Sequence, residues 1–273
     1  MGPLRTSDAT FVIPRPPDGP MLETRALNKA FGAFSAVVNL DLAVPRGEVF
    51  GFLGPNGAGK TTTIRMLMGI LVPSSGVATI SGLDCFTERV EVKRVVGYLP
   101  DAPVFYDYLR GSEILRFVSR MHGLGRDALR RRQGELMERL GLAEAEDEYA
   151  VNYSTGMKKK LALACALIHD PPVLILDEST NGLDPRASRQ IQDLIRTSAG
   201  EGRTIFLSTH LLDMAEKLCH RVGIINRGRM TTIGAPGELR ESLAPGGSLE
   251  EVFFAVTGSE ADAGGTHDPV PRP

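Results

Sequence analysis

The sequence predicts an α/β fold: a parallel sheet with one antiparallel β block and one α-helical block attached to it. Three observations carry this. The stretch Glu48 to Leu53, which reads as a buried strand, leads directly into the glycine-rich stretch Gly54-Pro55-Asn56-Gly57-Ala58-Gly59-Lys60-Thr61-Thr62, and a helical stretch, Thr61 to Met68, follows. An apolar run, Val173-Leu174-Ile175-Leu176, ends in the carboxylate of Asp177, as a central strand buried on both faces does. Between these segments, residues 112 to 141 repeat their apolar positions at helical spacing.

In chain order, residues 1–20 contain Pro3, Pro14, Pro16, Pro17 and Pro20 and are expected to be a disordered leader. The folded domain is expected over 21–257. From Leu22 to Val44, β-like runs with a turn near Gly32 suit an antiparallel pair with one buried face. Thr79-Ile80 reads as a strand, and so does Val95 to Leu99, stopped by Pro100. A helical block is expected over about 101–165. The apolar helical repeats close with Asn152-Tyr153-Ser154-Thr155-Gly156, followed by a helix from Met157 to about His169 that Pro171 and Pro172 end. A helix after Pro185, a strand from Thr204 to Leu207 and a helix from Leu211 to Cys219 resume the α/β pattern. Arg227-Gly228 reads as a hairpin turn, two short helices follow, and 258–273 is expected to be a disordered tail.

Composition narrows the function classes. Against 31 Lys and Arg stand 33 Asp and Glu, a net charge of −2, so no basic field suggests nucleic acid. The longest apolar run, Leu161 to Ile168, is far short of the roughly 18 to 20 residues of a membrane span, and no signal peptide is expected. Cys85, Cys165 and Cys219 are isolated, with neither zinc nor disulfide spacing, which suits a reducing cytosol. Arg130-Arg131-Arg132 reads as a solvated helix face.

Gly54 to Thr62 fits G-x-x-x-x-G-K-[ST], the phosphate-binding loop, in its proper strand–loop–helix setting. Glycines let backbone N–H groups converge on phosphate oxygens, and the helix opening at Lys60 adds free N–H groups and a positive dipole end. Lys60 is expected to reach the outer phosphates, and the Thr61 hydroxyl to ligate magnesium. Ligands of a parallel sheet sit at the carboxyl ends of its strands. There Asp177 is placed to hold magnesium, Glu178 to activate a water, and His210, ending Ser208-Thr209-His210, to bond a γ-phosphate.

Five motifs in order, Gly54 to Thr62, Tyr153-Ser154-Thr155-Gly156-Met157, Val173 to Glu178, Gly182-Leu183-Asp184 and Ser208-Thr209-His210, resemble an ABC transporter nucleotide-binding domain over about residues 22 to 256. The resemblance implies a P-loop NTPase fold with a RecA-like core, and ATP and magnesium as ligands. It implies a head-to-tail dimer, a homodimer or a paired ATPase subunit, in which Ser154, Thr155 and Gly156 face the partner's ATP and Asp184 lies in the dimer loop. Phe31 stands where the family often stacks an aromatic on adenine. Asp101 stands where the family usually has a glutamine that senses magnesium and contacts the membrane subunit. Lys158-Lys159-Lys160, in the first turn after the signature, reads either as an attractor of phosphate or as a solvated face.

The variant signature, Asp101 and the Ser248 to Phe253 ending look similar to the drug- and ion-exporter branch. The implied function is ATP hydrolysis driving a separate integral membrane permease, on the cytoplasmic face of the membrane. The contact is expected around Asp101 and the helices of 112–141. The alternative is a soluble ABC ATPase acting on nucleic acid or the ribosome. Such proteins usually carry a coiled-coil or zinc insertion or a second ATPase domain, none of which is visible here.

Overall fold

The computed structural model describes residues 19–258. The leader and tail expectations lie outside them, apart from Gly19, Pro20 and Gly258.

β1 (Leu22–Phe31) and β2 (Phe34–Val44) form the expected antiparallel pair, with Phe31 opposite Phe34 at the turn. β3 (Val49–Leu53) is wholly buried and runs into α1 (Lys60–Leu67). β4 (Ser75–Ile80) and the short β5 (Leu83–Asp84) complete a four-stranded sheet ordered β2-β1-β4-β5. Next come α2 (Arg89–Val95) and β6 (Val96–Leu99). Val95 ends α2 rather than opening the strand. Sequence reading missed this short helix because its apolar residues, Val90, Val92 and Val95, are all β-branched and read as strand.

The helical block consists of α3 (Gly111–Met121), α4 (Arg126–Arg139) and α5 (Thr155–Leu167). Then follow β7 (Val173–Asp177), α6 (Pro185–Gly200), β8 (Thr204–Thr209), α7 (Leu212–Leu218), the hairpin β9 (Arg221–Asn226) and β10 (Arg229–Gly234), and α8 (Pro236–Leu243) and α9 (Leu249–Thr257). The main sheet runs β10-β9-β3-β8-β7-β6, parallel throughout except for the antiparallel edge β10.

Alternation along the central strands feeds two cores. Val49, Leu53, Leu174, Leu176, Ile205 and Leu207 pack toward the helices, while Phe50, Phe52, Val173, Ile175 and Phe206 pack toward α1 and the β block. Phe206 stacks on Phe50, ring centroids 5.8 Å apart, and leans on Phe52 at 5.2 Å. With both faces covered, the sheet offers its strand ends to ligands.

The arginine run is not uniformly solvated. Arg132 donates from Nε to the Ile168 carbonyl at 2.7 Å and from Nη2 to the Leu167 carbonyl at 2.8 Å and Asp170 at 3.1 Å. It thus supplies a donor to the Ile168 carbonyl and a second one to the Leu167 carbonyl, which also accepts the Asp170 N–H at 3.0 Å, and ties α4 to the end of α5. Arg130 and Arg131 are exposed as expected.

Candidate active site

The site is built where β3, β7 and β8 end side by side, Leu53 beside Thr209 and Asp177 beside Ser208. The loop from Gly54 wraps back over this edge. Its path needs glycine at two places. Gly59 has φ of +109°, and a Cβ there would stand 2.5 Å from the Ala36 carbonyl oxygen. At Gly54 a Cβ would collide with the Ile225 backbone. The loop is therefore pressed against both the β block and the β9–β10 hairpin. Gly59 caps α1, whose first residue is Lys60.

Lys60 is only 7% exposed. Its Nζ donates to the carbonyls of Gly54 at 2.6 Å and Pro55 at 3.2 Å, and lies 3.8 Å from Glu178 Oε1. Burial pushes its pKa down, while the charges of Glu178 and Asp177 oppose that. Asp177 is 2% exposed. Thr61 donates its hydroxyl to Asp177 Oδ2 at 3.4 Å, whereas Asp177 Oδ1 is buried with no hydrogen-bond partner. An orphaned buried carboxylate oxygen beside a threonine hydroxyl fits the oxygen-donor set a magnesium ion takes.

Glu178 follows in the left-handed region, φ +47°. Its N–H donates to the Ser208 carbonyl at 2.9 Å, and its Oε2 lies 2.9 Å from His210 Nδ1. A cleft of about 580 Å³ joins these parts, lined by Pro55, Asn56, Gly57, Gly59 to Thr62, Asp101, Glu178 and His210, together with Phe34, Ala36 and Asn181. An anion cradle, a nearly enclosed cation, the carboxylates of Glu178 and Asp101 and a histidine thus line one space, with Asp177 bonded to Thr61 of its wall, an arrangement suited to binding and attacking a phosphoanhydride.

A family model described as ABC transporter matches residues 37–181, just over half of the chain. The chain belongs to the ABC transporter family. It is 36% identical over 244 residues to a probable multidrug ABC transporter ATP-binding protein, YbhF, of Escherichia coli (strain K12), covering 88% of this chain and 42% of that one. The chain therefore spans less than half the length of that relative. It is 40% identical over 222 residues to the daunorubicin/doxorubicin resistance ATP-binding protein DrrA of Streptomyces peucetius, covering 81% of this chain and 67% of that one. The solved structure of an ATP binding subunit of an ABC transporter matches with a TM-score of 0.82 at 31% identity, over 86% of this chain and 99% of that one. The P-loop NTPase fold implied by the motifs is the fold of these ABC ATPase neighbours.

Other residues of the ABC pattern lie elsewhere. Ser154, Thr155 and Gly156 open α5 and do not line the cleft. Ser154 accepts the Met157 N–H at 3.2 Å and so caps its own helix, yet remains exposed. Asp184 caps α6, accepting from the N–H groups of Arg186 and Ala187, each at 2.9 Å. Phe31 is half exposed rather than packed inside, with Lys29 Nζ 5.0 Å from its ring centroid. The aromatic lining the cleft is its cross-strand partner Phe34. Sequence reading passed over Phe34, although a phenylalanine just past the Gly32 turn was a usable signal.

The lysine run calls for a larger correction. Lys159 is neither a solvated face nor an exposed phosphate attractor: it is 2% exposed and bonded inward, because it lies on the face of α5 that carries Leu163 and Leu167.

Burial pushes the Asp177 carboxyl above the usual range; the neighbouring Ser208 hydroxyl and the Lys60 charge oppose this, and the charges of Glu178 and Asp101 add to it, leaving the net shift upward. With a folded pKa above the unfolded one, the ionised carboxylate destabilises the metal-free fold. That penalty grows as pH rises through the unfolded and then the folded pKa. Asp177→Asn is therefore expected to raise the metal-free melting temperature at pH 7, with the gain vanishing at acid pH below both values. Thermal melts across pH without added divalent cation check this. A loss of stability at pH 7 would show that Asp177 is satisfied by the protein alone.

Proposed function

We propose that this chain binds and hydrolyses ATP, pairs with a second ATPase subunit over two nucleotides, and drives a separate membrane permease, in the direction of export. The carrying observation is the convergence of Lys60, Thr61, Glu178 and His210 on one cleft at the phosphate-binding loop, with the buried Asp177 joined to it through the Thr61 hydroxyl. Gly54 to Thr62 cradle the phosphates, Lys60 meets the outer ones, and Phe34 or Phe31 offers a face to the base. Thr61 and Asp177 are the residues that would hold magnesium, with Asp101 at the cleft wall. When bound, the ion neutralises phosphate charge. Glu178 orients and deprotonates the attacking water, and His210 bonds the γ-phosphate.

A half-site explains the placement of the signature residues. Ser154, Thr155 and Gly156 are exposed or half-buried at the start of a helix, so their N–H groups suit an anion brought by another subunit. Asp184 would lie along the same interface. The permease contact is supported by exposed apolar side chains near Asp101 and on α3: Val104, Tyr106, Tyr108, Phe117 and Met121. Among the described residues no helix is long and apolar enough to cross a membrane. We place the chain on the cytoplasmic face, held there through the permease. Relatives named for multidrug and daunorubicin/doxorubicin resistance favour drug export as the transport class. No observation favours nucleic acid or the ribosome as the partner.

The decisive experiment is ATP hydrolysis by the purified chain. Turnover is expected to require magnesium and to rise faster than linearly with protein concentration as dimers form. Absence of turnover in the chain and in its complex with a co-purified permease would overturn the reading.

A further inference from the structure

Lys159 lies near the start of α5, between two half-buried lysines, and is itself almost wholly enclosed. An ammonium has three N–H donors and no acceptor, so a buried one is stable only when all three are used. Here they are. Nζ donates to the Glu178 carbonyl at 2.7 Å, to the Asn181 carbonyl at 2.7 Å and to Asp101 Oδ1 at 3.5 Å. Both carbonyls belong to the turn between β7 and α6.

That turn has an unusual demand. Glu178 sits at φ +47°, a region a glutamate keeps only when its surroundings hold it there. One hold is the bond from its N–H to the Ser208 carbonyl. Lys159 supplies another, on the carbonyl of the same residue. The Glu178 side chain then reaches His210 and the neighbourhood of Lys60.

We propose that Lys159 is a positioning residue: its ammonium pins the Glu178–Asn181 turn to α5 and thereby sets where the Glu178 carboxylate stands during hydrolysis. Asp101 is the third arm of the clamp and joins the beginning of the helical block to it. The clamp also ties the helix that opens with Ser154 to the backbone of Glu178, the residue whose side chain lines the chain's own cleft. Displacement of α5 would then move Glu178. The inference rests on the hydrolytic reading given above, but its geometric half can be measured without nucleotide.

The test compares the full chain with Lys159→Met, which keeps length but loses charge and donors, and Lys159→Arg, which keeps both. Lys159→Met is expected to lower kcat about tenfold or more, as a misplaced catalytic group does, with KM for ATP within about twofold. Hydrogen exchange without nucleotide is expected to quicken in peptides covering Glu178 to Asp184 but not in β3 or β8. Lys159→Arg is expected to recover much of the lost kcat. A Lys159→Met protein with unchanged kcat, with unchanged exchange in that segment, or with KM rising as far as kcat falls would overturn the proposal.

If Lys159→Met does not fold, Lys159→Arg carries the test. Wild-type exchange in the turn with near wild-type kcat supports the clamp. A folded Lys159→Arg whose kcat falls tenfold while the turn exchanges as in wild type overturns it. If the wild-type chain hydrolyses no ATP, the functional reading fails, and the exchange measurement still decides whether Lys159 pins the turn.

Discussion

Replacing Glu178 with glutamine is expected to stop ATP turnover while leaving ATP bound. The substitution changes one oxygen to an NH2 group in a side chain 13% exposed, so shape and packing are kept. What is lost is a proton acceptor. In the native chain, Oε2 is 2.9 Å from His210 Nδ1 and Oε1 is 3.8 Å from Lys60 Nζ, so the carboxylate is oriented between a ring and a cation. General-base assistance is worth about 10² to 10⁴ in rate, and kcat for Glu178→Gln should fall by about that factor. The phosphate-binding loop is untouched, so nucleotide affinity should stay close to that of the parent. With the γ-phosphate retained, closed pairs should accumulate and shift to the dimer position in size-exclusion chromatography with ATP and magnesium. Turnover within a few-fold of wild type would remove Glu178 from the role of water activator.

The parts of this fold and site visible in the sequence were those whose chemistry depends on neighbours in the chain. Gly54 to Thr62 is such a case, because its glycines, lysine and threonine act within one turn. The buried strand from Val173 to Asp177 is another, since uninterrupted apolar residues can only be an interior strand or a buried helix. Partnerships made across the fold were not legible. Lys159, Arg132 and Phe34 all sit in stretches that local pattern reads as solvated or ordinary. For Lys159 the deciding facts are carbonyls 19 and 22 residues further on, and for Arg132 carbonyls 35 and 36 residues further on. A run of like charges reports only that a helix has a polar face. Which member of the run turns inward depends on the neighbouring apolar register. Lys159 precedes Leu163 by four residues on α5, and Arg132 precedes Leu136 by four on α4, with Leu163 and Leu136 both buried.

Lys60→Ala is expected to abolish useful nucleotide binding. Lys60 is the one cation that the loop itself carries, and it is held over the loop by the Gly54 and Pro55 carbonyls. Hydrogen bonds to charged groups are worth about 1.5 to 3 kcal/mol each. Losing the equivalent of one strong contact, about 2.7 kcal/mol, would raise the ATP dissociation constant about 100-fold. Ligand linkage turns this into a melting experiment. At a nucleotide concentration of about 100 times the wild-type dissociation constant, the wild-type fold gains about 2.7 kcal/mol, and a variant bound 100-fold more weakly gains about 0.4 kcal/mol. The melting temperature of Lys60→Ala should therefore barely respond to ATP at a concentration that clearly stabilises the parent. The nucleotide-free variant should melt close to the parent, because alanine suits a helical position and the lost ammonium carried a burial penalty of its own. An ATP-induced shift equal to that of the parent would mean that Gly54 to Thr62 is not the phosphate cradle, and the roles given to Asp177, Glu178 and His210 around it would fall with it.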